Sequence, residues 1–176
     1  MVALLRGINV GGKGKLPMVD LRAVATKLGY DEVATYIQSG NLLLSTHDSP
    51  VVVAEHLAAT IAASSEVTTA VVVRTRRQLA QVVATDPFVA RGEDPEHVHV
   101  VFMDGPAAAG LSPLELARYE PEEAVAVGPD LHLFLPNGVG RSKLSADVSR
   151  QATPRSTQRS WRTITKLLAL ADDMVG

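Results

Sequence analysis

The chain reads as an α+β protein of two ferredoxin-like (βαββαβ-type) lobes, the second incomplete and closed by a C-terminal helix. Three observations predict this. Short runs of β-branched and apolar residues bounded by Gly, Pro, Asn or Asp recur at regular intervals, and helical spacing of apolar residues falls between them. The order strand, helix, strand, strand, helix, strand is completed in the first half and begun again in the second, which assigns residues 1–85 to one lobe and 86–176 to the other.

Val2 to Leu5 opens the first lobe as a strand. A glycine-rich loop follows, and Pro17 then stands where a first helical residue would, with Leu21, Val24, Ala25 and Leu28 at helical spacing and Gly29 as a stop. Val33 to Ser39 and Leu42 to Thr46 flank Gly40-Asn41, the short connection of a hairpin. Ser49-Pro50 supplies an N-cap and an N1 proline to a helix carrying Val53, Leu57 and Ile61, and Thr69 to Arg74 is the fourth strand. In the second lobe a helix near 76–84 and a loop precede a strand from His97 to Met103. Ser112-Pro-Leu-Glu115 is a capping box with proline at N1. Glu123 to Val127 and Leu131 to Leu135 form a second hairpin, and Lys143 to Arg150 a short helix. Thr153-Pro154 then caps a longer terminal helix, so a fourth strand is missing from this lobe.

The absence of cysteine among 176 residues excludes disulfides and thiolate-ligated metals. No apolar run nears the roughly 18 residues of a membrane span. Met1 to Leu5 is followed at once by Arg6-Gly7, which fits a strand and not a signal peptide, so the expected location is the cytoplasm, with no membrane partner. The net charge of −2 is unevenly spread. Residues 1–30 hold five cations against Asp20, residues 86–130 hold ten acids against Arg91 and Arg118, and residues 137–167 hold seven cations against Asp147. If both basic ends share a side, they face an anionic partner.

Gly7 to Lys15 is the densest chemical signal, placed after a strand and before a helix. Glycine permits the positive φ angles that turn successive N–H groups inward to form an anion-binding nest. Gly7-x-x-x-x-Gly12-Lys13 matches most of a Walker A loop, but Gly14 replaces the Ser or Thr that binds magnesium and Pro17 starts the helix too late. Gln38 and Asn41 place polar groups at the hairpin, although turns use such residues for backbone angles alone. On the predicted terminal helix, Trp161, Ile164, Leu167, Leu168 and Ala171 fall within a sector of about 120°, and Arg155, Arg159, Arg162 and Lys166 within another of about 60°. One stripe packs and the other is an exposed line of cations. Arg141, Ser142 and Lys143, after Gly138 and Gly140, repeat the theme of glycine, hydroxyl and cation at a helix start.

Catalytic constellations are poor. His97 and His99 share a predicted strand face and could meet His132, but such pairs occur on strands without a metal, and none is expected. No Gly-x-Ser-x-Gly elbow or HExxH helix is present. Glu115, Glu120, Glu122 and Glu123 read as a solvated acidic patch.

Four long segments, Leu4-Leu5-Arg6-Gly7-Ile8-Asn9-Val10-Gly11-Gly12-Lys13, Leu16-Pro17-Met18, Tyr36-Ile37-Gln38-Ser39-Gly40-Asn41 and Gly140-Arg141-Ser142-Lys143-Leu144, together resemble the signature of a bacterial family, domain of unknown function 1697. Arg159-Ser160-Trp161-Arg162-Thr163 with Lys166-Leu167 resembles its C-terminal motif, with Ser160 where the pattern has asparagine. The resemblance implies an α+β fold and a bacterial source, and carries no activity.

The residues themselves support binding of a phosphate-bearing anionic ligand, a nucleotide or small phosphorylated molecule, through Arg6, Asn9, Gly11, Gly12, Lys13, Lys15, Gln38, Asn41, Arg141, Ser142 and Lys143. The competing reading is a nucleic-acid backbone module using Arg155, Arg159, Arg162 and Lys166. No cofactor is expected, and no residue set assigns a reaction.

Overall fold

The computed structural model describes residues 1–11, 14–105, 115–151 and 155–174, and it is an α+β fold with two four-stranded antiparallel sheets. The chain divides into two compact units, Met1–Leu79 with Lys166–Gly176, and Ala80–Thr165. No helix among the described residues is long and apolar enough to cross a membrane.

In the first unit β1 (Val2–Leu5) and α1 (Met18–Lys27) lead to the hairpin of β2 (Asp31–Tyr36) and β3 (Asn41–Ser45). Then come α2 (Pro50–Ser64) and β4 (Val71–Arg74), and the strands lie in the order β2-β3-β1-β4. One sheet face, built by Ala3, Leu5, Leu42, Leu44, Val71 and Val73, packs on Leu21 and Ala25 of α1 and Val53, Leu57 and Ile61 of α2. The helical spacing of those five residues, read from sequence, is what turns them together onto the sheet. Ser49 caps α2 as expected, its Oγ accepting the Val52 N–H at 3.4 Å.

The second unit contains the C-terminal part of α3 (Arg76–Ala84), then α4 (Pro87–Ala90), β5 (Val98–Met103), β6 (Glu123–Val127), β7 (Asp130–Phe134), α5 (Lys143–Gln151) and β8 (Ser156–Ser160). The last helix, α6 (Trp161–Asp173), starts in this unit. The strand order β6-β7-β5-β8 repeats that of the first sheet. This corrects the expectation of an incomplete second lobe. Its fourth strand is Ser156-Thr157-Gln158-Arg159-Ser160, which pairs antiparallel with β5 from His99↔Ser160 to Met103↔Ser156. The segment is polar and offers no apolar run, so periodicity gives no strand signal. What makes it a strand is the open hydrogen-bonding edge of β5. The capping residues Thr153-Pro154 and most of the predicted box at 112–115 lie outside the described residues, while Leu116–Tyr119 forms a 3-10 turn.

Both faces of the second sheet are covered. Val101, Met103, Leu131 and Leu133 pack with Leu144 and Val148 of α5 and with Tyr119. On the other face Phe88, Val98, Phe134 and Trp161 form an aromatic cluster in which the Phe88 and Phe134 rings stack at 5.8 Å.

His99, on the α5 side of β5, is buried, and its imidazole pKa is lowered chiefly by desolvation. The folded state therefore binds the proton more weakly than the unfolded chain. Stability from this group is present above the unfolded value near 6.5 and lost as pH falls below it. Unfolding free energy measured from pH 7 to pH 5 is expected to fall less in His99→Gln than in the wild type.

Candidate anion site on the glycine loop

The loop between β1 and α1 is shaped by alternating backbone handedness. Gly7, Asn9 and Gly11 have φ of 63°, 56° and 60°, while Ile8 and Val10 between them stay outside the positive region. This left-right alternation is the backbone pattern that aims successive N–H groups to one side. Gly12 and Lys13 lie outside the described residues.

Asn9 holds the loop together. Its N–H donates to the Gly14 carbonyl at 3.0 Å, its Oδ1 accepts the Leu16 N–H at 2.9 Å, and its Nδ2 donates to the Leu16 carbonyl at 2.9 Å and the Gln38 carbonyl at 2.8 Å. The side-chain amide expected to contact ligand is thus a staple between the loop, the approach to α1 and the hairpin. Thr69 anchors the loop's start, its hydroxyl accepting the Arg6 N–H at 3.1 Å and donating to the Arg6 carbonyl at 2.8 Å. Ile8 and Leu16 are buried, whereas Gly7, Val10, Gly11 and Lys15 are exposed and Arg6 is half-buried.

Asn41 is likewise structural. It is fully buried as the first residue of β3, and its Nδ2 donates to the Tyr36 carbonyl and to Ser39 Oγ, each at 3.0 Å. Gln38 offers an exposed side chain beside the loop. Gly40 has φ of 77°, and an added Cβ would lie 2.7 Å from Ile8 Cδ1 and 2.8 Å from Leu5 Cβ. Backbone angle and space both require glycine. Gly40→Ala is expected to lose about 2–4 kcal/mol, combining left-handed strain with overpacking, and chemical denaturation checks it.

Arg141, Ser142 and Lys143 belong to the second unit. Arg141 ends a 3-10 turn (Val139–Arg141) and is exposed, as is Lys143 at the start of α5. Ser142 is buried and its Oγ accepts the Ser145 N–H at 2.8 Å, so its hydroxyl serves as an N-cap. The next donor is also taken, because Glu122 Oε2 accepts the Leu144 N–H at 3.0 Å. The protein's own carboxylate therefore stands at this helix start, where the sequence suggested a ligand anion. Glu122 is buried in that role, and Glu123 is paired with Arg91 at 2.5 Å, which lowers its pKa. The acidic residues are not simply a solvated patch.

The predicted line of cations does not form. Arg155 precedes β8 and pairs with Asp104 at 3.2 Å. Arg159 lies in β8, buried, donating to Thr157 Oγ1 at 2.7 Å and to the Gln158 carbonyl at 2.8 Å, and desolvation lowers its pKa to about 10. Only Arg162 and Lys166 remain exposed on a helix among the four. The helical projection fails because α6 begins at Trp161, where the Ser160 hydroxyl accepts the Thr163 N–H at 3.4 Å.

Nor do the histidines converge. His97 lies in a 3-10 turn, His99 pairs across from Leu133, and His132 pairs across from Val100, which puts His99 and His132 on opposite sheet faces. Among the described residues no group of three His, Cys, Asp or Glu could hold a metal ion.

Sequence reasoning missed a buried pair. His132 Nδ1 meets Asp86 Oδ2 at 2.5 Å, with both side chains fully buried, while Asp86 Oδ1 accepts the N–H groups of Phe88 at 3.0 Å and Val89 at 2.8 Å. Asp86-Pro87 falls in a segment that reads from sequence as a loop, and nothing local pointed to a partner 46 positions away.

Among solved structures, the conserved bacterial protein SP0830 from Streptococcus pneumoniae is similar to this chain, with 23% identity, a TM-score of 0.75 and 97% of each chain covered. That likeness supports the fold. No curated protein matches the chain. The family model described as protein of unknown function (DUF1697) matches residues 1–132, which include the glycine loop, its clamping asparagine and the hairpin it holds. The chain belongs to this DUF1697 family.

Proposed function

We propose that this protein binds a small phosphate-bearing ligand through the backbone of the Gly7–Gly11 loop, with Lys15 supplying charge. The observation that carries the reading is the alternation of positive φ at Gly7, Asn9 and Gly11, fixed in place by the Asn9 staple. Preorganised N–H groups lose little conformational freedom on meeting an anion, and a cation beside them offsets the incoming charge. Each unit is read here as ferredoxin-like, supported by the repeated second-third-first-fourth strand order. In that frame the loop follows the first strand and precedes the first helix of its unit.

A small ligand is favoured over a nucleic-acid backbone because Arg159 is buried and Arg155 is paired, which leaves too short a run of exposed cations to follow successive phosphates. Titration with inorganic phosphate, sugar phosphates, mononucleotides, RNA and single-stranded DNA at two salt concentrations tests this. Lys15→Ala is expected to weaken binding of the small ligands by about 1.5–3 kcal/mol, as for a charge-assisted hydrogen bond, while Arg162→Ala with Lys166→Ala leaves it unchanged. Tight, steeply salt-dependent RNA binding that is lost in the latter pair would support the polymer reading instead.

A further inference from the structure

Six large aliphatic side chains are exposed among the described residues: Val10, Val19, Ile37, Val51, Val125 and Val139. Three of them adjoin segments joined by a single side chain. Val10, 65% exposed, follows Asn9; Ile37, 49% exposed, precedes Gln38, whose carbonyl Asn9 holds; Val19, 60% exposed, is three positions beyond Leu16, which Asn9 holds through both N–H and carbonyl. Ile37 has a further peculiarity. Its φ is 49°, a region that β-branched residues avoid and in which Asn or Gly would be at ease. The position thus combines backbone strain with an apolar side chain left in water, and neither favours folding. Such strain concentrates at ligand sites.

We infer that the phosphate-bearing ligand is a nucleoside phosphate, its base resting against the exposed Val10 and Ile37 side chains while its phosphate meets the loop. This inference rests on the anion reading above. A sugar phosphate has no apolar face and would leave the exposed Val10 and Ile37 side chains in water. A base presents an apolar face that such side chains cover, and polar edges that the exposed Gln38 amide is chemically able to read. A phospholipid also joins phosphate to apolar matter, but bilayer insertion requires a broader apolar face than separated valines and one isoleucine beside a lysine.

The test compares adenosine monophosphate, ribose 5-phosphate and inorganic phosphate on the intact chain by calorimetry. The wild type is expected to prefer the nucleotide over ribose 5-phosphate by about tenfold, the effect of removing roughly 55 Å² of apolar surface from water. In the variant Ile37→Asn, whose asparagine suits the left-handed backbone, the preference is expected to fall severalfold while ribose 5-phosphate binding is unchanged. Equal affinities in the wild type, or a preference undiminished in Ile37→Asn, would overturn the inference and leave the anion reading standing. Preferential binding to phosphatidic acid vesicles would also overturn it. Failure of all three soluble ligands to bind would remove the anion reading together with it.

Discussion

Replacing Asp86 by alanine is expected to cost about 3–5 kcal/mol of unfolding free energy, the range for removing one partner of a buried pair. The carboxylate has two duties at once. One oxygen closes the start of α4 by accepting from Phe88 and Val89, and the other meets His132 Nδ1 in the middle of β7. Truncation would leave the fully buried imidazole and the buried Phe88 N–H without their acceptor, and the part-buried Val89 N–H as well. Asp86→Asn separates the duties, since asparagine remains a competent N-cap, and its loss is expected to be smaller. Denaturant titration of both variants checks the order.

Trp161→Ala is expected to lose a similar amount, about 3–5 kcal/mol, as a large core truncation. Trp161 is only 8% exposed and packs with Phe88, Val98 and Phe134. It is also the residue at which strand β8 gives way to helix α6, so the cavity would open beside that junction. Thermal and chemical unfolding measure the loss. A near-neutral result would mean that the aromatic cluster contributes little to the unit's core.

What was legible in the sequence was what neighbours along the chain determine. Val2 to Leu5 is uniformly apolar and bounded by Arg6-Gly7, and it is a strand as read. Ser49-Pro50 states a helix start in two residues, and Leu57 and Ile61 follow at helical spacing. Trp161 was placed on a packing side by the same periodicity, and it is buried. The failures share a different cause. Ser156 to Ser160 became a strand because β5 had an unpaired edge, a fact about another part of the chain. That shift removed Arg155 and Arg159 from the helix on which the cation line depended. Asn9 carried the composition of a ligand-binding residue, yet Leu16 and Gln38 use its amide; Ser142 carried a hydroxyl at a helix start, and the helix uses it. Glu122 looked like one more surface acid until the start of α5 came to lie against it, 22 residues later. Polar residue types announce that hydrogen bonds will be made, but the fold decides with whom.

The glycine loop is the element on which the functional account depends, and backbone amide resonances report on it directly. Inorganic phosphate titrated into isotopically labelled protein is predicted to shift the N–H signals of Gly7, Ile8, Val10 and Gly11 in a saturable way, with Lys15→Ala raising the concentration needed. Absence of saturable shifts at these residues, or shifts confined to the start of α5 around Lys143 and Leu144, would contradict the account and leave the loop as a turn held by Asn9.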